Sequence, residues 1–141
     1  MQIVRVLEDL PDGFATLRAE AAAEGHRHMD RLTAEWDDDP RQFTALLAAF
    51  VDGELVGVGA LTPEPAIEPG AAWRMRRLYV RPSARRRGVA SALANALLTE
   101  ALGLTRLVTV HAGSDEAGRF WESLGFQPVD ERPWSHRYSA A

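Results

Sequence analysis

The run Arg85-Arg86-Arg87-Gly88-Val89-Ala90 concentrates the means to hold an anion. It opens an apolar pattern, Val89, Ala92, Leu93, Ala96, Leu97 and Ala101, whose i, i+3, i+4, i+7 spacing predicts a helix up to Gly103. The first N–H groups of a helix lack partners within it, and its dipole adds partial positive charge, so a phosphate fits this junction. Gly88 lets such a group come close to the backbone. Three Arg at a helix start oppose the dipole, a placement that makes sense with an anion between them. Neither a Gly-x-x-x-x-Gly-Lys-Ser/Thr loop nor a Gly-x-Gly-x-x-Gly turn occurs, which counts against ATP hydrolysis and nicotinamide chemistry.

The charge distribution points the same way. All 16 basic residues are Arg, seven of them lie between Arg74 and Arg87 with no acid among them, and the remaining nine face 20 acids. That balance argues against a nucleic-acid partner, which calls for a broad basic face, and favours a compact anion. The plainer reading is that the clustered Arg pair with acids elsewhere in the chain; for Arg74 and Arg76 the candidates are Glu24, Glu35 and Asp37. With no Cys there is no disulfide framework, no thiolate nucleophile and no Cys-based zinc site. His26, His28, His111 and His136 show no metal-binding spacing, so no metal is expected. No apolar run approaches the ~18 residues of a membrane span, and Arg5, Glu8 and Asp9 interrupt the amino terminus. The expectation is a cytoplasmic protein without a membrane partner, monomer or homodimer, with residues 1–141 as one domain.

The elements that must position the Arg-rich turn follow from periodicity and punctuation. Gln2 to Leu7 reads as a strand, and Pro11-Asp12-Gly13 opens an Ala-rich helix ending near Gly25. A second helix spans His26 to Trp36, closed by Asp37-Asp38-Asp39-Pro40. Thr44 to Val51 is rich in Ala and Leu, yet Asp52-Gly53 before Leu55 to Leu61 predicts a hairpin of two antiparallel strands. A loop through Pro63, Pro65 and Pro69 leads to a fourth strand, Trp73 to Val80. There Trp73 and Met75 share one parity and Leu78 and Val80 the other, a slip around Arg77 that a β-bulge would produce. After the long helix come a fifth strand, Leu104 to His111, a helix capped by Ser114 or Asp115 that Gly125 ends, and closing strands at Phe126 to Val129 and Trp134 to Tyr138. Strands first and then β-helix-β imply an α+β fold with a sheet of mixed direction.

The strand Leu78-Tyr79-Val80-Arg81-Pro82 running into Arg85-x-x-Gly88-x-Ala90 resembles the acetyl-CoA signature of the GNAT N-acetyltransferase superfamily. A second block, Ala117-x-x-Phe120-Trp121-Glu122-Ser123-Leu124-Gly125-Phe126, is similar to that family's later helix. The resemblance implies a mostly antiparallel sheet flanked by helices, with a bulged fourth strand splayed from the fifth. It implies an enzyme that moves an acetyl group from acetyl-CoA to an amine of a small molecule or of a protein or peptide, by direct attack on the thioester. In that reading the backbone from Leu78 through Tyr79 to Val80 meets the pantetheine arm. Amides from Arg86 and Arg87 through Gly88 and Val89 to Ala90 hold the pyrophosphate, and Arg85 to Arg87 add charge-assisted contacts.

Two departures bear on the chemistry. Ser114 stands where the family usually has Asn, and Trp121 where it has a Tyr that protonates the departing thiolate; with Phe120 these line the cofactor in the implied site. The fourth strand carries no carboxylate between Trp73 and Arg77, so His111 and Glu68 are the candidate bases. Arg74 and Arg76 share a face of the strand expected to line the acceptor groove and would favour an anionic acceptor. The competing reading is an acyl-CoA-binding regulatory module without turnover.

Overall fold

The computed structural model describes residues 1–140. Seven strands, β1 Gln2–Arg5, β2 Ala45–Val51, β3 Glu54–Pro63, β4 Trp73–Val80, β5 Leu107–Val110, β6 Gln127–Pro128 and β7 His136–Ser139, form one sheet ordered β1-β2-β3-β4-β5-β7-β6. All neighbours are antiparallel except β4 and β5, which are parallel. Helices α1 Phe14–Ala23 and α2 His28–Asp38 pack on one face through Leu17, Met29, Leu32 and Trp36. On the other face α3 Val89–Leu102 and α4 Asp115–Ser123 bury Leu93, Leu97 and Trp121. This is the expected α+β arrangement. No described helix is long and apolar enough to cross a membrane.

The hairpin turn overrides the helix propensity of residues 45–51. Asp52 and Gly53 both take left-handed backbone, φ 51 and 79, the pair of angles that a tight two-residue hairpin requires. Strand β2 then lies between the two helical layers, with Leu46 and Ala48 facing α1 and α2 and Leu47 and Ala49 facing α3, which is why its sequence shows no polar alternation. Strand β5 starts only at Leu107, because the N–H groups of Leu104 and Thr105 close the end of α3 on Ala101 O.

The slip in β4 is a bulge. Val58 pairs with Tyr79 but Ala60 pairs with Arg76, so β4 holds one residue more than β3 across this span, and Arg77 sits at φ 56. Met75 and Val80 thereby both enter the core under α3 despite their opposite parity. Strand β4 pairs with β5 only through Trp73 with Val108 and Arg74 with Thr109, and beyond that the two strands part.

Helix α3 rests almost directly on β3, because Gly57 and Gly59 carry no side chain. A Cβ on Gly57 would stand 3.0 Å from Tyr79 O and 3.1 Å from Leu93 Cδ1. Adding bulk there must push the helix or β4 aside. Gly57→Val is therefore expected to cost about 1–3 kcal/mol of stability through overpacking. Urea unfolding of the variant checks this, and an unchanged midpoint would mean that α3 is not seated on that glycine.

Candidate active site

The β4 edge, the turn after it and the start of α3 form a continuous polar track. Arg81 N–H bonds Val56 O, and antiparallel alternation then turns the backbone of Tyr79 toward β3 and that of Leu78 and Val80 toward the gap beside β5. Past the 3-10 turn Pro82–Ala84, Arg86 adopts φ 63 and Gly88 φ 78, and Gly88 caps α3 without a side-chain acceptor. Among the described residues none accepts from the N–H groups of residues 86–91. A Cβ on Gly88 would meet nothing within 4 Å, so the space above this turn is open. Arg86 and Arg87 are exposed beside it, Val89 is buried and Ala90 half-buried. Six consecutive unpartnered donors at a helix start, with open space over Gly88, suit an anion as a cradle.

Arg85 does not point into that cradle. Its guanidinium bonds both carboxylate oxygens of Glu24, at 2.8 and 2.5 Å, and its Nε donates to Val80 O. The Tyr79 hydroxyl donates to the same carboxylate at 2.6 Å. The bonds from Arg85 and Tyr79 hold the Glu24 carboxyl at about 2, while burial and the Glu24 bond push the Tyr79 phenol up. Three further arginines are similarly engaged: Arg76 and Arg77 with Glu35, and Arg81 with Glu20 and Glu54. The acids of α1, α2 and the hairpin thus clamp the basic strand, and the Arg-to-acid pairing expected from composition accounts for four of the seven.

At the closed end of the gap stands a buried carboxylate. Glu64, directly after β3 and 1% exposed, accepts from Thr109 Oγ1 at 2.8 Å, from Ala66 N–H at 3.1 Å, and meets His111 Nε2 at 2.7 Å. Burial alone would raise this carboxyl, but the bonds from His111, Thr109 and Ala66 outweigh it and hold the group below the usual carboxylate range. The ionised Glu64 fixes the His111 proton on Nε2, which leaves Nδ1 of a neutral ring as an acceptor. His111 lies just past β5 and is about one-quarter exposed, so a ring oriented by a buried acid opens onto the gap. Glu68, by contrast, sits exposed in the 64–72 loop, with no side-chain bond to the site.

Arg74 and Arg76 lie on the same face of β4 as this dyad's row and are half-buried. At the start of α4, the N-cap Ser114 is exposed and its Oγ is occupied in accepting from Ala117 N–H, and Phe120 on that helix is half-buried. Trp121 is 7% exposed, between Phe120 and Phe126 with ring centroids 5.0 and 5.4 Å away, a core position.

Comparison with known proteins settles the family. Residues 7–126 match the model of the Acetyltransferase (GNAT) family. The chain belongs to the GNAT acetyltransferase family. No curated protein matches it. Solved GNAT-type folds superpose over nearly the full length. A protein from Exiguobacterium sp. 255-15 named as an acetyltransferase is similar at TM-score 0.87 and 23% identity, over 98% of this chain and 92% of that one. The GNAT family N-acetyltransferase YhbS from Escherichia coli, in complex with CoA, gives 0.73 and 17%, over 99% and 81%. A GNAT family acetyltransferase from Brucella melitensis, in complex with acetyl-CoA, gives 0.68 and 17%, over 99% and 97%.

Sequence reading passed over Glu64, and it offered Glu24 to Arg74 or Arg76, whereas the structure gives it to Arg85 and Tyr79. A carboxylate between Pro63 and Pro65 reads as a solvated loop acid, and only the approach of β5 buries it. Glu24 at the end of an Ala-rich helix carries no local signal beyond its charge. A folded-state pKa depressed to about 2 gives stability that is full above the ordinary value of 4.5 and disappears as pH falls through the depressed value. Glu24→Gln should therefore be less stable than the parent at about pH 6, with the gap shrinking toward about pH 3. Urea titrations of both proteins across that range check it; a gap constant with pH would remove the ion pair as its source.

Proposed function

We propose that this chain transfers an acetyl group from acetyl-CoA to the amine of a small molecule or a peptide. The carrying observation is that one gap between β4 and β5 has an unfilled donor cradle at its mouth and a carboxylate-oriented histidine at its closed end. The cradle fits coenzyme A: the N–H groups of residues 86–91 suit the pyrophosphate, with Arg86 and Arg87 beside it, and the Leu78 and Val80 edge suits the amide-bearing pantetheine arm. Val80 O is already taken by Arg85, so the N–H groups of that edge carry the contact. Acetyl-CoA supplies the thioester carbonyl that the amine attacks, the C–N bond forming as the C–S bond breaks.

The chain's own part is proton handling and charge. His111 Nδ1 takes the proton from the attacking amine, and Glu64 steadies the resulting imidazolium while keeping the ring in the required tautomer. Strand N–H groups turned to the gap stabilise negative charge developing on the carbonyl oxygen. A thiol of pKa ~8.5 leaves without a dedicated acid, or with a proton from water, so Trp121 in the Tyr position is no obstacle. Residues 1–141 act in this reading as one domain.

Gly88→Asp should abolish acetyl-CoA binding in calorimetry of the folded variant, because the carboxylate would occupy the cradle at a backbone angle that disfavours any side chain. His111→Gln should bind acetyl-CoA as the parent does while kcat, read as thiol release, falls ~10²–10⁴-fold. Unchanged affinity in the first variant removes the cradle, and undiminished kcat in the second removes His111 as the base. Tight binding with no thiol release to any of a broad panel of amines would make the chain a binding module instead.

A further inference from the structure

The sheet face that carries Glu64 and His111 also carries three arginines, Arg74, Arg76 and Arg137. Arg74 stands beside Thr109 across β4 and β5, and Arg137 stands beside Thr109 across β5 and β7, so the three form one row on one face. Arg76, on the same face, shares the Glu35 carboxylate. Arg74 has no such partner. Its Nε is buried and bonds nothing, and neither Arg74, Arg132 nor Arg137 forms an ion pair among the described residues. Burial, then the neighbouring Arg76, hold the Arg74 guanidinium down to about 10, still cationic at neutral pH. Glu64 and Glu35 attract this half-buried cation without bonding it, so its N–H groups are left for a further anion.

Beside this row lies a cleft of about 450 Å³, floored by Ile67, Leu107, Val129 and Trp134 and rimmed by Arg132 and Arg137, with Asp130 its one acid. Trp134 is 6% exposed, and its indole N–H is buried without an acceptor. Ile67, one residue beyond the Ala66 whose N–H holds Glu64, ties one wall of the cleft to the loop that carries that carboxylate. Its volume suits a small molecule.

We infer that the acceptor is a small amine that carries a carboxylate and an apolar side chain, chemically an amino acid, with Arg74 and Arg137 receiving the carboxylate. This rests on the acetyl-transfer reading above. Strands two places apart in a sheet are separated by about 10 Å, a span that two Arg side chains close from either side. Two guanidinium groups on one carboxylate give charge-assisted bonds, one from the half-buried Arg74 and one from the exposed Arg137, and Trp134 adds a donor over an apolar floor. The apolar side chain then lies over Ile67 and Leu107, and the amine is left toward His111. Polycationic amines are disfavoured by the same unpaired arginines.

Calorimetry with N-acetyl-leucine and N-acetyl-leucinamide, which differ only in the carboxylate, tests this without turnover. The folded protein should bind the acid at least about tenfold more tightly than the amide, as charged hydrogen bonds of ordinary strength imply. Arg74→Gln and Arg137→Gln should each reduce that ratio toward one, while Arg74→Lys, which keeps charge but loses the fork, should retain part of it. Melting curves confirm that each variant is folded. Equal affinity of the parent for both probes overturns the inference, as does a preference that survives both Gln substitutions. Acetyl-CoA titrated into the same samples reports on the acetyl-transfer reading separately, so either can fail alone.

Discussion

Arg77, held at φ 56 in the middle of β4, is the constraint on which the site depends. One extra residue there breaks the register with β3, turns the following strand, and lets β4 leave β5 after two paired residues. Without the bulge, the sheet would close on both sides of β4 and satisfy the backbone groups of Leu78 and Val80. With it, those groups face a gap whose mouth is the start of α3. A non-glycine residue in left-handed backbone is strained, so something must hold it there. Glu35 on α2 does so, bonding Arg77 Nε at 3.0 Å and Nη2 at 3.1 Å.

The same exchange of charge organises the wider molecule. The acids Glu20, Glu24 and Glu35 come from the first two helices, and their partners Arg81, Arg85, Arg76 and Arg77 come from β4 and the turn after it. Apolar packing places α1 and α2 on the sheet, and these pairs fix where along β4 the helices sit. Several are partly buried and share hydrogen bonds, so they specify register more than they add stability. Arg86 and Arg87 are left exposed at the cradle, and Arg74 is left unpaired beside Glu64. Of the seven arginines between residues 74 and 87, the three without carboxylate partners therefore stand at the two ends of the gap.

Glu64 shows how a fold makes a group reactive in its context. In the chain it stands between two prolines; in the molecule it is almost wholly buried, holds three donors and orients a histidine. Two of those partners, Thr109 on β5 and His111 just past it, lie 45 and 47 residues away along the chain. In the proposed mechanism the base is the histidine so oriented, since no acid stands between Trp73 and Arg77 on β4.

Local chemistry in the sequence determined most of the scaffold. The Asp52-Gly53 turn, the apolar period of α3, the parity slip at Arg77 and the glycine at the start of α3 each act within a few residues, so pattern alone reveals them. The cradle was legible for the same reason, since its donors are consecutive backbone groups. Tertiary structure alone decided which side chains reach one another. It took Arg85 out of the anion site by bringing up Glu24 from the end of α1, left Glu68 in solvent, and put Glu64 against His111. It also paired Arg76 and left Arg74 free, though both stand on the same face of the same strand. Such distinctions depend on contacts between segments tens of residues apart, where burial and desolvation set which charges must be met, and no local period in a sequence encodes that.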